Sequence, residues 1–295
     1  MKTTKIGMIG IGMMGHGIAR NILKNGWPLS YLHHPGNQPT ADLDAAGGVR
    51  VDDASILARD SDVLILCVTG SPEAEAIMLA PGNLAASLKP GAVVVDCSTG
   101  IPSITQRIAA EVALTGGRFV DAAMTRTPKE AEEGRLNLLI GGDPDTVAEL
   151  TPLFSAFSEN RFHAGGIGAG QTLKLIHNFV SIGSVTLMAE AAACAAENGV
   201  DAQVLVDCLR RGGGYGAALD RVGPFLTDGE LAQMRFTAAN ARKDLSYYDR
   251  LVAETGTQAN VASGVLGALE WLNSHGFGQR MMPEAAEAFR TKEGG

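Results

Sequence analysis

The stretch GMIGIGMMGHG, residues 7–17, places glycines at positions 10, 12 and 15 between an apolar run and a helical pattern. KIGMIG predicts a buried strand, and HGIARNILKNG predicts a helix that ends at Gly26. A strand, a glycine turn and a helix in this order suit a dinucleotide, because the turn lets backbone N–H groups approach the pyrophosphate. We therefore predict that the turn binds such a cofactor, through Gly10, Ile11, Gly12, Met13, Met14 and Gly15.

Five more β-rich apolar runs follow, several of them uninterrupted enough to be strands buried on both faces: PLSYLHH, DVLILCV, AVVVDCS, GRFVDAAM and NLLIGG. Their alternation with helical stretches predicts a doubly wound, parallel α/β sheet of the Rossmann type. From Gln171 to Asn198 the sequence is one Ala-rich helical pattern ending at Gly199, and the rest is also helical. We predict a dinucleotide-binding domain at 1–163 and an all-α domain for substrate binding and oligomerisation at 164–295, joined by the long helix.

The composition excludes several classes of partner and site. A formal net charge of −8 and a pI of about 5.3 provide no field for nucleic acid. We expect no apolar run of the roughly 18 to 20 residues that a membrane span requires and no secretory h-region, hence no membrane partner and a cytoplasmic location. The four cysteines are interpreted as reduced core residues, and the spacing of the six histidines suggests no metal site.

The end of the second predicted strand bears on the choice of cofactor. NAD-binding proteins usually carry an acidic residue here to accept the ribose hydroxyls, whereas this sequence has His33 and His34. Without an acid there is no repulsion of a 2′-phosphate, and a histidine can donate a hydrogen bond to one. These residues favour NADP over NAD; alternatively, both histidines are exposed loop residues compatible with either cofactor.

The long helix contains a second chemical pattern. In GAGQTLKLIHNFVSIG, Lys174, His177 and Asn178 are spaced to lie near one helix face. A desolvated lysine in this setting can exchange a proton with an alcohol while a hydride moves at the adjacent carbon. The alternative is an exposed lysine beside a polar stripe.

Four ordered motifs resemble those of the β-hydroxyacid dehydrogenase family, whose members include 3-hydroxyisobutyrate dehydrogenase, tartronate semialdehyde reductase and 6-phosphogluconate dehydrogenase. They are IGMIGIGMMGHGIARNILKNG, DCSTGIPS, GAGQTLKLIHN and RKDLSYY, and the resemblance covers nearly the whole chain. It implies that Lys174 is the general acid/base and that Asn178 positions the substrate. It also implies that Thr99 lies beside nicotinamide and substrate.

The same resemblance assigns further contacts. Val68, Thr69 and Lys243 are expected to contact the cofactor. His177 is a candidate substrate-binding residue, because the K-x-x-H-N order resembles 6-phosphogluconate dehydrogenase more than the shorter members, although this chain is far shorter than that enzyme. The expected acidic-serine stretch near the C-terminus is replaced by GFGQRMMPEA.

One segment departs from the family in a way that bears on the substrate. Where most members have S-G-G, this chain has Thr125, Arg126 and Thr127, which resembles the G-R-T of sulfolactaldehyde reductase. An arginine here adds a cation suited to a strongly anionic head group. Alternatively, Arg126 turns outward and pairs with Glu130 or Glu133.

These observations predict an NAD(P)-dependent oxidoreductase that interconverts a small anionic β-hydroxy acid and its semialdehyde. The substrates considered are of the 3-hydroxyisobutyrate, tartronate semialdehyde or sulfolactaldehyde type. Two alternatives are an imine reductase of the same architecture and a non-catalytic dinucleotide sensor, although the lysine at 174 argues against both. The resemblance also implies a homodimer or homotetramer, while burial of the apolar long helix within one subunit remains an alternative.

Overall fold

The computed structural model describes residues 3–80, 84–231 and 234–290. The chain divides into two compact units, Met1–Lys174 and Leu175–Gly295.

The first unit is built on an eight-stranded sheet with the order β3-β2-β1-β4-β5-β6-β7-β8. The strands are β1 Ile6–Ile9, β2 Leu29–Leu32, β3 Val49–Val51, β4 Val63–Leu66, β5 Val93–Asp96, β6 Arg118–Thr125, β7 Leu136–Gly142 and β8 Ser158–Gly165. Strands β3 through β6 pair in parallel, β7 runs antiparallel to β6, and β8 is parallel to β7. The predicted Rossmann-type sheet is confirmed.

Helices alternate with these strands. They are α1 Met13–Lys24, α2 Ala41–Ala45, α3 Ala54–Asp60, α4 Ser71–Leu79, α5 Pro102–Leu114, α6 Pro128–Glu133 and α7 Pro144–Phe154, with a 3₁₀ turn at Ala85–Ser87. Strands β1, β4 and β5 are buried along their whole length, as their uninterrupted apolar sequences predict for the centre of a parallel sheet. Met8, Ile65 and Val95 from these strands share one core with Ile18 of α1.

Two strands and one strand direction were not expected from the sequence. Strand β3 has three residues with none buried, and β8 is exposed over most of its polar sequence SENRFHAG. Both lie at the edges of the sheet, where a strand needs no continuous apolar pattern, so hydrophobic periodicity gives no signal. The antiparallel pairing of β6 with β7 departs from the predicted all-parallel sheet.

The second unit is helical. From Leu175 onward, the long helix α8 (Ala169–Glu197) belongs to this unit. The elements that follow it are α9 Ala202–Arg211, α10 Ala217–Asp228, α11 Ala238–Thr255, α12 Asn260–Ser274, a 3₁₀ turn at Met282–Glu284 and α13 Ala285–Ala288. Its core includes Val185, Leu245 and Leu269. Gly199 has φ +74°, and the Val200 N–H donates to the carbonyl of Ala195, which confirms the predicted helix end.

Two expectations drawn from the composition were wrong. Among the described residues, the helix Ala169–Glu197 does have the length and apolar composition of a membrane span. Core helices of globular domains meet the same criterion. Cys194 of α8 and Cys208 of α9 are exposed, so only Cys97 and the half-buried Cys67 of the four cysteines lie at core positions. A cysteine is small enough to occupy the outer face of a helix.

Candidate active site

The glycine turn between β1 and α1 has three different steric environments. Gly10 has φ +98°, and a Cβ there would lie 2.2 Å from the carbonyl oxygen of Cys67. A Cβ on Gly15 would lie 1.9 Å from the carbonyl oxygen of Gly10. A Cβ on Gly12 would meet nothing within 4 Å. Gly10 and Gly15 are therefore required by the protein's own packing, whereas Gly12 borders open space.

The N-terminus of α1 opens onto that space. The first helical hydrogen bond runs from His16 N to Gly12 O, at 2.9 Å, so the preceding N–H groups of the first turn have no acceptor inside the helix. The first turn carries no acidic residue. Unused N–H groups and the positive end of the helix dipole suit an anion. The turn thus fits the pyrophosphate of a dinucleotide.

The other predicted residues of this unit lie at the same edge of the sheet. They lie at or just beyond the carboxyl ends of parallel strands. His33 and His34 follow β2, Val68 and Thr69 follow β4, and Thr99 follows β5. Thr125 is the last residue of β6, and Arg126 and Thr127 follow it. This edge of an open α/β sheet is where ligands bind.

The loop after β2 is attached to the glycine turn. Ile11 donates its N–H to Asn37 Oδ1, at 3.3 Å, and its carbonyl accepts the N–H of Gln38, at 2.7 Å. His33 and His34 are exposed, and His34 Nδ1 accepts the N–H of Gly36, at 3.0 Å. Because Nδ1 is the acceptor, the ring hydrogen of His34 is on Nε2. An Nε2–H group of this kind can donate a hydrogen bond to a phosphate oxygen.

The loop after β5 is held by buried polar groups that sequence reasoning missed. Ser98 Oγ accepts the N–H of Val68, at 3.0 Å, and Ser98 N donates to Asp96 Oδ1, at 2.9 Å. Gln171 of α8 bonds to the peptide groups on both sides of Thr99. The spacing of GAGQTLK shows that Gln171 precedes the lysine by one turn, but only the fold reveals what its side chain contacts.

The start of α8 is fixed by a buried carboxylate of β6. Asp121 Oδ1 accepts the N–H of Gly168, at 2.7 Å, and Oδ2 accepts the N–H of Gln171, at 2.8 Å. A Cβ on Gly170 would lie 2.7 Å from Oδ2, so the helix backbone approaches the carboxylate closely. Burial raises the pKa of Asp121 to about 6, although both backbone N–H groups lower it.

The Thr125–Thr127 segment has an unusual backbone. Arg126 has φ +83°, a conformation that glycine adopts readily and that costs an L-residue about 1–2 kcal/mol. A glycine, as in the S-G-G sequence of most β-hydroxyacid dehydrogenases at this position, would adopt this backbone conformation without that cost. The Arg126 guanidinium pairs with Glu159 of β8 and donates to the carbonyl of Arg135, and both contacts use Nη1. Arg126 therefore has an acidic partner, as the alternative interpretation expected, but that partner is Glu159 and not Glu130 or Glu133.

The two threonines beside Arg126 already have intramolecular partners. Thr125 is buried, and its Oγ1 accepts from Asn137 Nδ2, at 3.0 Å. Thr127 caps α6: its N–H and hydroxyl both donate to Glu130 Oε2, at 3.0 and 2.5 Å. These bonds hold the segment in one conformation.

The predicted residues of α8 and α11 differ in exposure. Lys174 is half-buried, His177 is exposed, and Asn178 is 5% exposed. Within the second unit, Asn178 Nδ2 donates to Asp244 Oδ2, at 2.7 Å, and Lys243 Nζ lies 3.1 Å from Asp244 Oδ1. Asp244, which the sequence analysis did not single out, therefore orients the Asn178 amide. No group of three potential metal-ligating side chains occurs within residues 3–80, 84–231 and 234–290.

Comparison with known protein families identifies both parts of the chain. Residues 5–166 match the NAD binding domain of 6-phosphogluconate dehydrogenase. Residues 168–288 match the NAD-binding domain of NADP-dependent 3-hydroxyisobutyrate dehydrogenase. Together these matches cover most of the chain.

Individual proteins agree with this assignment. The NAD-dependent L-serine dehydrogenase of Pseudomonas aeruginosa is 32% identical, over 90% of this chain and 89% of its own. The 2-hydroxy-3-oxopropionate reductase of Escherichia coli is 33% identical over 67% of each chain. The structure of Mycobacterium tuberculosis 3-hydroxyisobutyrate dehydrogenase with L-serine has the same fold, with a TM-score of 0.87 and 23% identity, over 98% of this chain and all of that one (100%). The chain therefore belongs to the 3-hydroxyisobutyrate dehydrogenase-like β-hydroxyacid dehydrogenases, NAD(P)-dependent enzymes that act on CH–OH groups.

Proposed function

We propose that this enzyme interconverts a small β-hydroxy acid and its semialdehyde, with Lys174 as the general acid/base. The relatives named for L-serine and 2-hydroxy-3-oxopropionate support a three-carbon acid or one of similar size. The observation that carries the proposal is the position of Lys174. It follows by one helical turn the residue Gln171, whose side chain holds the loop that contains Thr99.

Each proposed residue has a defined task. When bound, NAD(P) would supply the hydride chemistry at the substrate carbon that carries the hydroxyl or carbonyl oxygen. In the reductive direction, the Lys174 ammonium donates a proton to the developing alkoxide oxygen, and in oxidation the neutral amine accepts it. Thr99 would lie beside the nicotinamide and the substrate, and Asn178 would position the substrate. His177, which is exposed, is proposed at the margin of the substrate site.

We propose NADP as the preferred cofactor. The loop after β2 presents His33 and His34 without an acidic side chain, and the Nε2–H of His34 is suited to a phosphate oxygen. Gly10, Ile11, Gly12, Met13, Met14 and Gly15 would hold the pyrophosphate, with Val68, Thr69 and Lys243 as further cofactor contacts. The NAD dependence of the Pseudomonas relative makes the ratio of NADPH to NADH turnover the decisive comparison.

We propose that Thr125, Arg126 and Thr127 bind the anionic head group. A strained backbone at Arg126 supports a functional reason for an arginine at this position. Its contacts to Glu159 and Arg135 use Nη1, so an approaching anion would be met by Nη2 or Nε. This feature also supports a second candidate substrate, sulfolactaldehyde, because a sulfonate offers three oxygens to a guanidinium.

A homodimer or homotetramer in the cytoplasm completes the proposal. In the second unit, Ile176, Val180 and Leu187 of α8 are 44%, 60% and 71% exposed, at spacings that place them along one side of the helix. A second copy of the chain covering this apolar stripe would bury it.

The experiment that tests the proposed function is an initial-rate comparison of substrates, with NADPH and NADH in turn. The panel consists of L-serine and 3-hydroxyisobutyrate for oxidation, and of tartronate semialdehyde, methylmalonate semialdehyde and sulfolactaldehyde for reduction. We expect turnover of a carboxylate substrate. A preference for the sulfonate that Arg126→Gly abolishes would support the second candidate, and no turnover with any member would refute both.

A further inference from the structure

The Gln171 side chain bridges the two peptide groups that flank Thr99. Its Oε1 accepts the N–H of Gly100, at 2.7 Å, and its Nε2 donates to the carbonyl of Ser98, at 2.9 Å. Gln171 has no exposed surface, and Ser98 is 3% exposed. The glutamine amide combines an acceptor oxygen with a donor NH₂ group, and these match the N–H of Gly100 and the carbonyl of Ser98.

The same residue is fixed along its backbone. Asp121 accepts the Gln171 N–H and so sets the rotation of the first turn of α8. Lys174 is three residues further along that helix, and residues three apart lie on the same side. The Thr99 loop is therefore attached to the helix one turn before the lysine, on the lysine's own side.

We propose that Gln171 is a positioning residue that sets the spacing between Thr99 and Lys174. This inference rests on the proposed function, since it assigns Gln171 a role through the two residues that contact the reacting groups. Its amide acts as a clamp: it holds the Thr99 loop at a fixed register on α8, so that Lys174 reaches the alkoxide oxygen while Thr99 contacts the same substrate.

An alternative role is simple filling of the core. A methionine would occupy a similar volume but would leave the Gly100 N–H and the Ser98 carbonyl, both on buried residues, without their partner. Loss of the clamp lets the loop move relative to the helix, and a displacement near 1 Å at a catalytic group can cost about 100-fold in rate. A filling role predicts a loss of stability alone.

Two substitutions separate these roles. Gln171→Met removes both hydrogen bonds. Gln171→Glu retains them while the new carboxyl is protonated, because a carboxylic acid has one O–H donor and one carbonyl acceptor. Ionisation removes the donor to Ser98 and leaves a buried carboxylate close to that carbonyl. Asn273→Leu is the control, since it removes a half-buried amide whose bonds, to the Leu269 and Ala238 carbonyls, lie within the helical unit.

The readouts are kcat and KM from pH 5 to 9, cofactor dissociation constants by fluorescence titration, and thermal unfolding. We expect Gln171→Met to lower kcat by about 10- to 100-fold at every pH, with little change in cofactor affinity. For Gln171→Glu we expect a kcat relative to wild type that is highest at low pH and falls as the new carboxyl ionises. The charged groups near the Gln171 amide are the acidic Asp121 and Asp96 and, one helical turn away, the cation Lys174. Both proteins contain all three, so the ratio of the Gln171→Glu kcat to the wild-type kcat reports the titration of the new carboxyl alone.

The outcomes are distinct. Normal kcat in Gln171→Met would overturn the clamp, as would a Gln171→Glu ratio that is well below one and no higher at pH 5 than at pH 9. If Gln171→Met does not fold, the pH series of Gln171→Glu decides, because it compares two protonation states of one variant. Lys174→Ala is measured alongside: if it retains turnover, the proposed function fails, whereas an inactive Lys174→Ala with an active Gln171→Met refutes only the clamp.

Discussion

Replacing Gly12 by alanine is expected to separate cofactor binding from folding. The backbone at Gly12 has φ −81° and ψ −164°, which alanine adopts without strain, and its Cβ would meet no protein atom within 4 Å. Gly12→Ala therefore leaves the free energy of unfolding unchanged or raises it by about 0.4–1 kcal/mol, because glycine gives the unfolded chain more freedom.

In the proposed cofactor site, the same methyl group would lie where the pyrophosphate approaches the first turn of α1. Displacing one charge-assisted hydrogen bond there costs about 1.5–3 kcal/mol, which raises the dissociation constant by about 10- to 150-fold. Fluorescence titration with NADH and NADPH measures this, and urea unfolding without cofactor measures stability. Gly15→Ala is the contrasting variant, because its Cβ would lie 1.9 Å from the Gly10 oxygen and should destabilise the fold itself. Unchanged cofactor affinity in Gly12→Ala would refute the assignment of the turn.

Three further predictions concern pH, cofactor and substrate loop. The folded state holds the Asp121 proton with a pKa of about 6 against an ordinary 3.8, so the unfolding free energy should fall by up to about 3 kcal/mol as pH rises from about 4 through 6. Urea unfolding at a series of pH values checks this, and Asp121→Asn should lack that part of the slope. His34→Asp should raise the KM for NADPH by about tenfold or more and spare NADH, because a carboxylate repels the 2′-phosphate; equal effects on both cofactors would contradict it. Arg126→Gly should change stability by no more than about 1 kcal/mol, because relief of a positive φ offsets loss of a partly exposed ion pair; a larger loss by urea unfolding would show that the Glu159 contact is structural.

Local patterns were sufficient for much of the fold. The glycine turn, the central strands and the end of α8 at Gly199 depend on steric and hydrophobic rules that act within a few residues. Edge strands β3 and β8 escaped detection because their side chains face solvent. The sequence also suggested a parallel sheet throughout, since nothing local in NLLIGG distinguishes the antiparallel direction of β7.

The candidate site was predictable as a set of residues but not as a network. The alternative to substrate binding by Arg126 was an ion pair with an acidic neighbour in sequence, yet the acidic partner is Glu159, on a strand that sequence patterns did not predict. Gln171 and Asp121 were passed over because a glutamine and an aspartate have no motif signature of their own. Their roles arise from contacts between residues 47 to 73 positions apart, which become visible only once β5, β6 and α8 are assembled.

The most direct test of the proposed mechanism is the turnover of Lys174→Ala beside that of the wild-type enzyme, on the best substrate of the panel and with cofactor affinity measured in parallel. We predict that kcat falls by about 10²- to 10⁴-fold, as expected for loss of a general acid/base, while the dissociation constant of the cofactor stays close to that of wild type. A variant that keeps normal turnover would contradict the assignment of Lys174 and with it the proposed mechanism.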